Sequence, residues 1–130
     1  MQKHTLIPFL PFWVLNFSRG LFVIAIIVVT QQMLTDAPAP ALTSIWDKWL
    51  HIAAWGCMTG IAYLASHSPR TFIICALALV IYSSLVEYLQ PIVASRHFSY
   101  GDLVANNIGI LLALALAPPL NRHLSSLLIK

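Results

Sequence analysis

Long apolar runs alternate with short polar links along the 130-residue chain. About 20 apolar residues are needed to cross a bilayer, and four runs have that length: 17–34, 49–66, 71–89 and 103–120. Within each run the apolar residues cover all faces of a helix, as expected where lipid is the outer solvent. The pattern predicts an all-α protein, an integral membrane four-helix bundle with short loops.

Prolines mark the predicted ends of the helices. Pro91 is expected to end the third helix and 118–119 the fourth, because proline lacks the backbone N–H and its ring clashes with the preceding turn. The stretch 36–40 contains two prolines and is expected to be extended. The link 68–70 is so short that the second and third helices should be antiparallel neighbours. Residues 5–15 are too interrupted to span, so the sequence predicts an interfacial N-terminal segment.

Composition agrees with a membrane protein. Hydrophobic residues make up 59% of the chain and charged residues 8%, against roughly 25% charged in a soluble domain. The length allows one domain, covering 1–130. The formal charge of +3 comes from basic residues that flank the apolar runs. Nucleic acid is therefore not expected as a partner, whereas membrane lipids are.

The basic residues also predict an orientation. With the N-terminus inside, five are cytoplasmic (Lys3, Arg19, Arg70, Arg122 and Lys130) and two are outside (Lys48 and Arg96). The positive-inside rule favours this arrangement. All four acidic residues then lie on the outer side: Asp36, Asp47, Glu87 and Asp102. The sequence predicts a multi-pass protein with both termini cytoplasmic.

A cleavable signal peptide is the alternative interpretation of the first apolar run. Arg19, the apolar stretch 21–29 and the triplet Ala37-Pro38-Ala39 loosely fit that pattern. Pro40 would follow the cleavage position directly, which disfavours cleavage. We therefore expect the first helix to be retained.

Polar side chains gather at the predicted outer ends of the last three helices. They are Asp47, Lys48, His51, Glu87, Gln90, Arg96, Asp102 and Asn106. Spacings of three or four residues place the members of each helix on one face. Gly109 continues the stripe of the fourth helix and would let another helix approach closely. Polar groups beside hydrocarbon are costly, so this set predicts one pocket with a function.

The order and spacing of these residues resemble a known family. The motifs are Asp47-Lys48-xx-His51, Glu87-xx-Gln90, Arg96 and Asp102-xxx-Asn106-xx-Gly109, and they resemble those of the VanZ-like family of small bacterial membrane proteins. Trp55 and Ala113 depart from the residues more usual there. The resemblance implies a location in the bacterial inner membrane and a cell-envelope role linked to teicoplanin resistance. It implies no particular reaction.

Three interpretations of the pocket remain open at this point. In the structural one, Asp47 and Asp102 are N-caps, Asn106 bonds across helices and Glu87 pairs with Arg96. In the binding one, the eight residues hold an anionic headgroup such as a polyprenyl phosphate or a cell-wall precursor.

In that second interpretation, Lys48, Arg96, His51 and the start of the fourth helix supply the positive charge. The third interpretation is a membrane enzyme acting on a lipid phosphate. His51 would then be general base or nucleophile, Asp47 would orient it, and the two cations would stabilise the transferring phosphoryl group.

A metal site is not predicted from the sequence. Four residues could offer ligands: Asp47, His51, Glu87 and Asp102. However, Lys48 and Arg96 would repel a cation, and no tight ligand motif occurs. No cofactor is expected, and the sequence leaves the oligomeric state open.

Overall fold

A computed structural model of the chain describes residues 11–35, 44–94 and 96–128. These residues form four helices: α1 (Phe12–Met33), α2 (Ser44–Ala65), α3 (Pro69–Val93) and α4 (Tyr100–Leu128). No strand occurs among the described residues. The all-α prediction is confirmed, and the helices form a four-helix bundle.

The predicted helix ends at the prolines are wrong. α3 continues through Pro91 to Val93, and α4 continues through Pro118 and Pro119. A proline removes a single N–H from the helical ladder, and neighbouring groups in membrane helices compensate for the loss. In α3 helical hydrogen bonding continues beyond the proline, since the N–H of Ala94 donates to the carbonyl of Gln90 at 2.9 Å.

The N-terminal prediction is partly corrected. Residues 12–15 belong to α1, whose first turn follows Pro11. The N–H of Val14 donates to the Pro11 carbonyl at 3.0 Å, so Pro11 starts this helix. The predicted interfacial residues 5–10 and the predicted extended stretch 36–40 lie outside the described residues.

Contacts at both ends of the bundle fix the helix directions. At one end, the Arg19 guanidinium donates to the carbonyl of Ala65, which joins the start of α1 to the end of α2. At the other end, Lys48 contacts Asp102 and joins the starts of α2 and α4. Thus α1 runs antiparallel to α2 and α4. Helix α3 is antiparallel to α2 as predicted, because three residues separate the end of α2 from the start of α3.

Helix α2 packs most extensively against α4, and two glycines permit the close approach. A Cβ on Gly109 would collide with the backbone carbonyl of Ile52 and lie 2.9 Å from the N of Gly56. A Cβ on Gly56 would lie 3.3 Å from the Gly109 carbonyl oxygen. The predicted role of Gly109 is confirmed: the two backbones touch where neither residue has a side chain.

Among the described residues, three helices are long and apolar enough to cross a membrane: α1, α3 and the Tyr100–Pro119 part of α4. Their most apolar windows have mean hydropathies of 2.1, 2.1 and 1.5. Only 6% of the α1 window is buried, so its apolar side chains face outward, as lipid-facing residues do. Helix α2 is long enough to cross a membrane, but its mean hydropathy is too low for it to count as a candidate span. That α2 crosses the membrane therefore stays a prediction, and so does the orientation of the termini.

Candidate functional site

The predicted polar residues meet at one end of the bundle. This end combines the first turns of α2 and α4, the last turns of α1 and α3, and the α3–α4 link. Most of the polar side chains are almost fully buried, with exposed fractions of 4% for His51, 5% for Asp102 and 0% for Glu87, Gln90 and Asn106. Burial of this many polar groups is costly unless contacts compensate for it.

His51 is held by Asn106 across the α2–α4 interface. The Nδ1 atom of His51 lies 2.7 Å from Oδ1 of Asn106, and both side chains are buried. Because an amide oxygen only accepts, Nδ1 is the donor in this hydrogen bond. The enzyme interpretation expected Asp47 to orient the ring; in the structure Asn106 makes the hydrogen bond that does so, and Asp47 lies 3.9 Å from the other ring nitrogen.

Two carboxylates flank the opposite side of the imidazole. Nε2 of His51 lies 3.9 Å from Oδ2 of Asp47 and 4.0 Å from Oδ2 of Asp102. Both distances exceed hydrogen-bond length. Nε2 therefore faces two acidic oxygens without a hydrogen bond to either, and a small or charged species placed there would contact all three groups.

Lys48 contacts the Asp102 carboxylate through the oxygen that does not face the imidazole. Its Nζ lies 3.1 Å from Oδ1 of Asp102, and its side chain is 43% exposed. The lysine stem crosses the backbone of Gly101, where a Cβ would lie 2.7 Å from Cε. Asp102 thus presents one oxygen to Lys48 and the other to His51.

Neither aspartate is an N-cap, which corrects the structural interpretation. Ser99 caps α4: its Oγ accepts from the N–H of Asp102 at 3.2 Å, and its carbonyl accepts the helical N–H of Leu103 at 3.1 Å. Asp102 lies inside the first turn of α4, as Asp47 does in α2. The first-turn carboxylates still face the positive ends of their helix dipoles.

Glu87 and Arg96 do not form the predicted ion pair. Oε1 of Glu87 instead accepts the backbone N–H of Ser99 at 3.0 Å. Glu87 is close enough to Asp102, His51 and Arg96 to interact with them electrostatically. Within the described part of the chain, Arg96 forms no ion pair. Its positive charge is available to another group.

Gln90 connects helices and, within the described residues, makes no hydrogen bond to the imidazole. Its Nε2 donates to the carbonyl of Met33 at 3.2 Å, which ties the end of α3 to the end of α1. Among the described residues, Oε1 of Gln90, Oε2 of Glu87 and Nδ2 of Asn106 have no hydrogen-bond partner. Buried polar atoms of this kind are uncommon and concentrate here at one end of the bundle.

A cleft of about 300 Å³ opens beside the imidazole, between α1 and α2. Its polar lining comes from Gln32, Asp47, His51 and Arg96, and its apolar lining from Val28, Val29, Met33, Leu50 and Ala54. Lys48 does not line this cleft. The cleft therefore combines one acidic, one basic and one imidazole group with an apolar wall formed largely by α1.

Several residues of the site were missed by sequence reasoning. Ser99 caps α4, Gly101 makes room for Lys48, and Gln32 lines the cleft. The spacing Ser99-x-x-Asp102 is a capping signature and could have identified the cap. Gln32 gives no such signal, because its position beside α2 depends on how α1 packs.

Comparisons with protein families, with curated proteins and with solved structures found no match to this chain. The class of the protein therefore rests on its own geometry. The part of the chain that the structure describes is all-helical, with three candidate membrane-crossing helices and a buried polar cluster at one end.

Proposed function

We propose that this chain is a VanZ-like protein of the bacterial inner membrane whose extracytoplasmic cleft binds an anionic envelope lipid or cell-wall precursor, such as a polyprenyl phosphate. Its role would be in the cell envelope, as in teicoplanin resistance. The observation that carries the proposal is the cleft between α1 and α2, which places Arg96 and His51 beside an apolar wall.

The lining of the cleft matches the two parts of such a lipid. Val28, Val29 and Leu50 offer apolar surface to a chain. Arg96 offers a guanidinium that forms no ion pair within the described residues, and guanidinium groups bind phosphate through paired hydrogen bonds. Val28 is also 49% exposed on the outer surface of α1, so the apolar wall is continuous with the face of the bundle that lipid would contact.

The charges of the site favour a headgroup at Arg96 over one at Lys48. Lys48 already contacts Asp102 at 3.1 Å, and that carboxylate would repel a second anion. Arg96 lies on the α3–α4 link and lines the cleft, so a headgroup bound to it would leave the lipid chain beside the apolar lining residues.

An enzyme acting on a lipid phosphate is the second candidate. The observation that favours it is His51, which lines the cleft and whose Nε2 has no hydrogen bond to Asp47 or Asp102. An imidazole in this state can act as a general base. In that case His51→Gln should abolish turnover of a lipid phosphate while retaining its binding.

Native mass spectrometry of the purified protein with a polyprenyl phosphate tests lipid binding. Arg96→Ala should weaken binding by about tenfold or more, because a charged hydrogen bond is worth roughly 1.5 to 3 kcal/mol. Arg70→Ala is the matched control, since Arg70 is exposed at the opposite end of α3. Equal binding by wild type and Arg96→Ala would refute the proposal.

The cellular counterpart uses a sensitised teicoplanin or envelope-stress assay. His51→Ala and Arg96→Ala, which alter the lining of the cleft, should each abolish the phenotype while the protein still inserts and accumulates, whereas Lys48→Ala, outside the cleft, should have the smaller effect. Full function in all three variants would leave helix packing as the only role of the cluster.

A further inference from the structure

We propose that Asp47, His51 and Asp102 form a binding site for one divalent cation of the Mn²⁺ or Zn²⁺ type. One ligand atom from each residue lies within 4.8 Å of the others. The site goes beyond lipid binding, because protein groups alone would hold the ion. It also reverses the expectation drawn from the sequence, which weighed the neighbouring cations against a metal.

The imidazole is already prepared as a ligand. Metal-bound histidines use one ring nitrogen for the ion and donate the other N–H to an oxygen acceptor, which fixes the ring. Here Nδ1 donates to Oδ1 of Asn106 at 2.7 Å. The side chain of His51 is 5% exposed, and its Nε2 points toward the two aspartates with no hydrogen bond within the described chain.

The spacing of the donors fits a single ion. Atoms bound to one ion at about 2.1 Å lie at most about 4.2 Å apart. The distances from Nε2 to the two carboxylate oxygens, 3.9 and 4.0 Å, are within that limit. The three donor atoms together lie within 4.8 Å of one another, so a bound ion would draw the partly exposed Asp47 carboxylate a few tenths of an ångström toward Asp102.

Charge no longer argues against the ion. Lys48 contacts Oδ1 of Asp102, whereas the oxygen near His51 is Oδ2. Arg96 lines the same cleft but forms no ion pair with Asp47 or Asp102 within the described residues, so the two carboxylate oxygens that face the imidazole are not paired with either cation. The mixture of imidazole and carboxylate favours Mn²⁺ or Zn²⁺ over Ca²⁺, which prefers oxygen ligands alone.

Three protein ligands leave coordination positions open toward the cleft. Asp47 and His51 both line it, so these positions face its interior. Sites with open positions are typical of metals that bind or activate a second ligand. The ion would thus add positive charge to the cleft that Arg96 also lines.

Titration of the EDTA-treated protein, in neutral detergent and without added lipid, tests this site. We expect one Mn²⁺ or Zn²⁺ per chain, and for Mn²⁺ an electron spin-echo signal from a directly bound imidazole nitrogen. His51→Gln should remove the nitrogen signal and lower the affinity by at least about tenfold. His67→Gln, at an exposed position on the α2–α3 link, is the matched control and should bind as wild type does.

The Asp47→Asn variant tests the proposed metal site through a second ligand. Asp47 makes no hydrogen bond through its side chain within the described residues, so this variant should fold normally while losing affinity by about tenfold or more. The proposal is overturned if neither ion binds saturably, or if Asp47→Asn binds as tightly as wild type. Lipid binding is measured without metal, so either result leaves the Arg96 test unaffected.

Discussion

The carboxylate of Glu87 accepts the backbone N–H of Ser99 at 3.0 Å and thereby ties the end of α3 to the start of α4. In a capping box this N–H is bound by the acidic residue three positions after the cap, which here is Asp102. Because Glu87 takes that role, the Asp102 carboxylate is left to contact Lys48 and to face His51. The Glu87–Ser99 hydrogen bond therefore determines which groups the Asp102 carboxylate is free to contact.

Removing this bond is expected to destabilise the bundle. Glu87→Ala leaves the Ser99 N–H without its partner, which costs about 1 to 3 kcal/mol. Glu87→Gln keeps an acceptor oxygen and should remain within about 1 kcal/mol of wild type. Thermal unfolding in detergent, followed by tryptophan fluorescence, gives the comparison. Tyr88→Ala, at a position 65% exposed on the same turn, serves as control. A Glu87→Ala variant as stable as wild type would contradict the assigned role.

The cap of α4 can be tested separately from the carboxylate that follows it. Ser99→Ala should cost about 1 kcal/mol of stability, the usual loss for an N-cap. Asp102→Asn should cost less, because its partner Lys48 is 43% exposed and the ion pair is worth at most about 1 kcal/mol. Ser84→Ala, which removes a hydroxyl bonded within α3, is the control. If Asp102→Asn proves the more damaging change, Ser99 is not the main cap.

The α2–α4 contact makes a sharper prediction about glycine. Gly109→Ala places a methyl group against the backbone of Ile52 and Gly56, neither of which can move aside as a side chain would. Overpacking of this kind costs about 1 to 3 kcal/mol or more. Gly60→Ala lies on α2 with open space around it, so helix propensity should make it neutral or stabilising by up to about 1 kcal/mol. Equal melting temperatures for the two variants would show that the helices are not in backbone contact.

Membrane orientation is testable with two exposed histidines at opposite ends of α3. In a variant with Cys57 and Cys75 replaced by alanine, His97→Cys should react with an impermeant maleimide in intact cells. His67→Cys should react only after permeabilisation, because the positive-inside rule places its link in the cytoplasm. The reverse labelling pattern would overturn the predicted topology and place the cleft inside the cell.

Much of the fold followed from hydrophobic pattern alone. Apolar residues on all faces of long segments favour helices in lipid, and that periodicity is local, so the four helices could be predicted without tertiary information. The ends of α3 and α4 could not be predicted from Pro91 and from residues 118–119. The helical bonds beyond a proline depend on the turns that follow and on packing.

Most residues of the candidate site could also be predicted from the sequence. Spacings of three and four residues placed Asp47 with His51 and Asp102 with Asn106 on common helix faces, because a helical face is set by the 3.6-residue turn. The sequence did not show how these helix faces would pack against each other. Which acceptor orients His51 depends on the depth at which α2 and α4 cross, and that depth is set by contact between Gly56 and Gly109.

What the sequence by itself determined was a set of apolar helices with polar residues at one end, since both properties are encoded within single segments. Tertiary structure alone decided that Asn106 and not Asp47 orients the imidazole, and that Glu87 binds Ser99 and not Arg96. It also decided that the cleft opens beside α1. These outcomes depend on distances of a few ångströms between residues far apart in the chain, which only the packing of complete helices can fix.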